Sequence, residues 1–169
     1  MLRNGAAWPR RLRVAMSLLV ACAFAGIALG APPARDVRYP PELRGAWFPD
    51  DAEGRAGCAA HRLRPTPRDG RDWGRIVGAI MIGVDVAHHV SDYGEGTFYM
   101  PTSVVNVGPG RWRIASRVGI DGEPDPQEPP TVTELRVEAG RLDWRDVGDH
   151  AGARPRYALC SRRVPGDGG

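Results

Sequence analysis

Asp85, His88, His89 and Asp92 form the one cluster in this sequence whose residue types suit a metal ion, because imidazole and carboxylate are ligands for zinc, copper or nickel. Adjacent histidines on a strand point to opposite faces. His89 would share a face with Asp85, and His88 with Asp92, so a single site cannot use all four without a loop. The expected role is that of solvated polar residues at a strand end, with no metal and no other cofactor. His61 and His150 are isolated in the sequence and add no ligand.

Nucleophilic chemistry has less to work with. The sequence has no Gly-x-Ser-x-Gly elbow, and no Gly-rich phosphate loop precedes a helix. Carboxylates are plentiful, but no pair is marked as catalytic, so the chain reads as a non-enzyme. Of three cysteines, Cys22 falls in the leader described below, which leaves Cys58 and Cys160. An even pair in an oxidising compartment is expected to form a disulfide. Arg111, Arg113 and Arg117, beside Arg141 and Arg145, could present a surface to an anion or acidic partner. Glu134 and Asp143 intervene, so an ordinary charged outer face is expected.

The compartment follows from the first thirty residues. A basic start (Arg3, Arg10, Arg11, Arg13), an apolar run from Val14 to Leu29 and the small residues Ala28 and Gly30 make up a secretory signal. Cleavage is expected after Gly30, which places the mature protein in the periplasm or outside the cell. Leu19, Val20, Ala21 and Cys22 resemble a lipobox, and a membrane association would follow only if Cys22 were lipidated. The continued apolar sequence after Cys22 argues against that. Removing the leader leaves nineteen arginines against twenty acidic residues, a net charge of −1. The basic character of the full chain therefore belongs to the leader and gives no support to nucleic-acid binding.

The elements that must position these groups read as strands. Residues 31–42, with Pro32, Pro33, Pro40 and Pro41, form an extended lead-in, and a β domain is expected over 43–163. Leu43–Phe48 reads as a first strand and Cys58–Arg64 as a second, separated by a solvated turn at Asp50, Asp51, Glu53 and Gly54. Arg75–Val84 reads as one strand buried on both faces. Trp112, Ile114, Ser116, Val118 and Ile120 alternate with Arg111, Arg113, Ala115, Arg117 and Gly119, the pattern of a half-buried strand. Thr102–Val107 and a Gly108-Pro109-Gly110 turn make a hairpin with it. Asp121–Pro130, with four prolines and four acidic residues, is expected to be a solvated loop. Thr131–Val137 and Arg141–Arg145 form a second hairpin, with Leu135, Val137, Leu142 and Trp144 inward. Arg156–Ser161 is a last strand, and residues 164–169 a disordered tail. The sum is an all-β fold, a small antiparallel meander of seven to eight strands forming a barrel or sandwich, without an amphipathic helix.

Leu43, Gly45 and Trp47, at the start of the first strand, resemble the Gly-x-Trp opening of lipocalins and other calycin barrels, which include small secreted protease inhibitors. The resemblance implies that Trp47 plugs one barrel end beside Gly45, with a cation from the last strand, Arg156 or Arg162, over its face. The same opening, followed by Cys58 and closed by Tyr157-x-x-Cys160, is similar to that of small bacterial secreted proteins of unassigned activity. Ser91-Asp92-Tyr93 resembles a second lipocalin motif but arrives too few strands after Trp47. The functions expected are binding of a small apolar ligand or a protein partner, alternatively inhibition of a protease or lysozyme through the loop Asp121–Pro130 and, third, the role of a lipid-anchored envelope protein or a metal-dependent enzyme.

Overall fold

Alternating apolar residues need a surface to cover, and here they cover one another around a closed wall. The computed structural model describes residues 36–64, 73–91, 95–147 and 155–164. Among the described residues the strands are β1 (Gly45–Pro49), β2 (Ile80–Ile82), β3 (Ala87–Val90), β4 (Gly96–Gly108), β5 (Arg111–Ile120), β6 (Thr131–Glu138), β7 (Arg141–Asp146) and β8 (Arg156–Ser161). Each pairs antiparallel with its neighbours in chain order, and β8 returns to β1. The expected all-β meander is thus an eight-stranded closed barrel, not a sandwich. A helix, α1 (Ala52–Leu63), and a 3₁₀ turn at Trp73–Arg75 lie between β1 and β2.

The β5 pattern is realised as read through most of its length, with Trp112, Ile114 and Ser116 buried between exposed Arg111, Arg113 and Arg117. Ile120 departs from it and is exposed, because β5 beyond Ser116 has outrun its ladder with β6. In the next hairpin Leu135 pairs with Trp144 and Val137 with Leu142, so all four share the inward face. Its turn places Ala139 and Gly140 at φ 49° and 75°, the two left-handed residues that a tight hairpin of matching twist requires.

Two apolar clusters hold the structure. The interior one is filled by Trp47, Trp112, Trp144, Tyr39, Tyr99 and Tyr157 together with Leu43 and aliphatic side chains from β2, β3, β5, β6 and β7. The outer one seats Ala46, Phe48, Ile76, Ala79, Met81, Val90 and Cys160 on the other face of the wall, with Cys58 of α1 and Val164 against it. Val164 thus packs against the fold where the tail was expected to begin. Tyr39 likewise belongs to the interior although it lies in the proline-rich lead-in.

Two expectations are corrected. Cys58–Arg64 is not a strand, since residues 52–63 are helical. Asp51, read as part of a turn, is the N-cap, and its carboxylate accepts the Gly54 N–H at 2.7 Å. Gly54 is where the helix meets β1, and a Cβ there would lie 2.0 Å from the Pro49 carbonyl oxygen. A glycine that reads as a breaker in sequence is what lets the helix lie against the wall. The run Arg75–Val84 is not one strand either. Gly78, at φ 78°, turns the chain so that its N–H reaches the Val90 carbonyl, and only Ile80–Ile82 remains as β2.

Candidate functional site

The barrel ends differ in what crosses them. At one end the segment Tyr39–Leu43 lies across the interior. The Tyr39 N–H bonds the Val84 carbonyl at 2.8 Å, its hydroxyl donates to the Tyr99 carbonyl at 3.2 Å, and the Trp47 indole donates to the Leu43 carbonyl at 2.7 Å. Burial pushes the Tyr39 hydroxyl pKa strongly upward, so it stays a donor. Gly45 sits at φ 143°, and a Cβ there would come within 2.5 Å of the Ser161 carbonyl oxygen, so only glycine lets β8 close on β1.

The cation over Trp47 is Arg162, 5.8 Å from the ring centroid, with its guanidinium also donating to the Glu42 and Arg44 carbonyls at 2.8 and 3.0 Å. Arg156 does not take that role. Trp47 pairs with Leu159 and Pro49 with Tyr157, which puts Arg156 toward the far end of β1, where it faces Asp143 at 3.7 Å. The β1–β8 ladder has a register shift between Ala46 and Trp47, next to Ser161.

The opposite end carries the β3–β4, β5–β6 and β7–β8 connections, and we call it the loop end. Its interior sets His89 and Asp146 among aromatic side chains of the inner cluster. His89 meets the Tyr157 ring edge-on at 6.3 Å, and Tyr99 meets Trp144 edge-on at 5.0 Å. Burial holds His89 below the ordinary histidine value, with the Asp146 charge opposing the shift. Burial, and then the Asp146 charge and Tyr157, push Tyr99 up to about 12, while burial alone pushes Tyr157 to about 12. Both phenols are therefore neutral donors near neutral pH. Ser116, on the same inward-facing side of the wall, is fully buried and out of reach of a substrate.

His88 and His89 do point to opposite faces, His89 inward and His88 outward, where His88 stacks on Phe98 at 4.0 Å. Burial lowers the pKa of His88 as well. Asp85 is exposed in the β2–β3 turn, and Asp92 and His150 lie outside the described residues. Among the described residues no three His, Cys, Asp or Glu side chains are grouped to hold a metal. His61, isolated in sequence, is buried in the last turn of α1 beside Phe48, 5.7 Å between ring centroids.

Cys58 and Cys160 are joined. Because residue 58 is helical, the bridge ties α1 to β8 rather than strand to strand, and Arg62 of the same helix donates to the Cys160 carbonyl at 3.0 Å. The arginine surface is largely self-neutralised. Glu134 accepts from Arg113 at 2.7 Å and Arg145 at 2.6 Å, and Arg113 first holds its carboxyl below the usual range. Arg141 pairs with Asp50 at 3.2 Å.

The loop Asp121–Pro130 is exposed along nearly all its length but anchored at its base. The Asp121 carboxylate accepts the Gly96 N–H at 2.7 Å, and the Asp121 N–H bonds the Gly96 carbonyl at 2.9 Å. Within it, Asp125 accepts the Gln127 N–H at 2.8 Å.

Sequence reasoning missed the group His89, Tyr99, Trp144, Asp146 and Tyr157. The available signal was the two-residue step from Leu142 through Trp144 to Asp146, which carries a carboxylate onto the inward face. No family model, no curated protein and no solved structure matches this chain.

Proposed function

We propose that the chain is a calycin-like binding protein of the periplasm or extracellular space that engages a protein partner at its loop end. The observation that carries this reading is the filled interior. A carrier of a small apolar ligand needs an apolar cavity, and the space between the strands is taken by three tryptophans, three tyrosines and their aliphatic neighbours. Recognition then falls to the rim. The calycin likeness is supported by the closed antiparallel meander, by Gly45 and Trp47 on β1 and by the Arg162 cation over the indole. The Cys58–Cys160 bridge supports an oxidising compartment. The leader, including Cys22, lies outside the described residues.

Inhibition of a secreted hydrolase is the second reading, and the anchored loop Asp121–Pro130 favours it. A loop held at its base by the reciprocal Asp121–Gly96 bonds loses little freedom on docking, which is how a short segment can bind tightly. The test is affinity capture from envelope and culture-fluid extracts with two baits, the secreted chain and a variant with residues 123–128 replaced by a Gly-Ser linker. We expect a stoichiometric protein partner on the first bait and its loss on the second, with unchanged circular dichroism. Equal capture by both would remove the loop from the reading, and capture of apolar small molecules alone would overturn the partner reading.

A further inference from the structure

β4 is longer than the wall on one of its sides. Its ladder with β3 covers only Gly96–Tyr99, whereas its ladder with β5 continues to Gly108. Between these limits Thr102, Ser103, Val105, Asn106 and Val107 are exposed, Val105 and Val107 to 52% and 45%. No other described strand pairs with this stretch. A strand paired on one side directs every second N–H and C=O away from its neighbour, and such an edge is a template for another strand. Charges along the edge, or a proline within it, are the usual protection. Here Pro101 and the register shift after it guard the beginning, and a second register shift between Asn106 and Gly108 irregularises the end, which leaves Ser103–Asn106 as the regular open edge; from Thr102 to Gly108 there is neither a charge nor a proline.

We propose that this edge pairs with the same edge of a second copy of the chain, antiparallel about a two-fold axis. The neutrality of the segment identifies the occupant. In a two-fold pairing a segment meets itself, so any charge on it would be brought near its own copy. In a chain with 25% charged residues, the stretch Thr-Ser-Val-Val-Asn-Val-Gly carries none. Thr102, Val104, Val105 and Val107 are β-branched and suit a pleated surface. An axis through Val105 sets that residue against its own copy, and Val104 against Asn106 of the second copy, within the regular part of the ladder. Val105, half exposed on one chain, then packs against its own copy across the seam. The loop Asp121–Pro130 lies at the other end of β5 and takes no part, so the pairing stands or falls separately from the partner reading.

Sedimentation velocity over a concentration series of the secreted chain, with its disulfide intact, tests the proposal. The expected result is a reversible monomer–dimer equilibrium. Val105→Lys should weaken it by about a hundredfold or more, since like charges then face each other across the axis. Val105→Thr should retain the dimer. Circular dichroism and melting of each variant establish that the barrel is intact. Hydrogen exchange should show slower exchange at Ser103–Val107 in the dimer than in the monomer. A chain that stays monomeric to its solubility limit would overturn the proposal. So would a Val105→Lys variant that dimerises as tightly as the parent, or a dimer whose Ser103–Val107 amides gain no protection.

Discussion

The two ends of the barrel place aromatic and polar groups under opposite rules. At the plugged end every polar atom described above has a named backbone partner, from the Trp47 indole on the Leu43 carbonyl to the Arg162 guanidinium on Glu42 and Arg44. The loop end instead keeps titratable groups inside the wall, His89 and Asp146 among them, and carries an exposed acidic loop fixed only at its base. The difference teaches where stability is concentrated and where surface is left for the proposed partner. Satisfied donors around a buried indole make an end that resists change, while a loop can vary in sequence with little cost to the fold.

That contrast can be broken most forcefully at Trp47. Trp47→Ala removes the central side chain of the plug and should cost about 3–5 kcal/mol by urea unfolding. Replacing residues 123–128 at the other end should cost far less. Reduction of the disulfide, or Cys58→Ser with Cys160→Ser, should cost about 2–5 kcal/mol, because a bridge spanning 102 positions restricts the unfolded chain. If reduction left the urea midpoint unchanged, α1 would not depend on its link to β8.

A finer comparison uses the two arginines of the last strand and its exit. Arg162→Met, which loses the cation over Trp47 and two carbonyl contacts, should cost about 1–2 kcal/mol. Arg156→Met, an exposed partner of Asp143, should cost about 0–1 kcal/mol. Equal costs would erase the distinction between plug and wall.

Acid should act through the histidines. His88 and His89 are both held below the ordinary 6.5 by burial, so the unfolded chain takes up protons first as pH falls through that value. Their contribution to stability is therefore complete above about pH 6.5 and declines below it. Urea midpoints at about pH 7.5 and about pH 5 should show the decline, and His89→Gln should flatten it. An unchanged slope in His89→Gln would remove His89 from the account.

The parts legible in the sequence are those where one face meets the core and the other meets water. β5 and the β6–β7 hairpin are of this kind, and the inward set Leu135, Val137, Leu142 and Trp144 was readable because a period of two survives in each. The same rule correctly separated His88 from His89. α1 was illegible because Gly54 and Gly57 look like breakers, yet both lie on its contact face with Pro49 and Phe48. β2 and β3 are three and four residues long, too short for a period to register. The choice between Arg156 and Arg162 depended on the pairing of Trp47 with Leu159 in the β1–β8 ladder, a long-range register that no local pattern encodes.

The most direct test of the central proposal, a filled barrel that recognises at its rim, is native mass spectrometry of residues 31–169, with the disulfide formed, incubated with fatty acids of graded chain length. The account predicts the polypeptide with its one disulfide and no saturable adduct at any length. A saturable one-to-one complex, lost in an Ala87→Phe variant that fills the interior further, would contradict it.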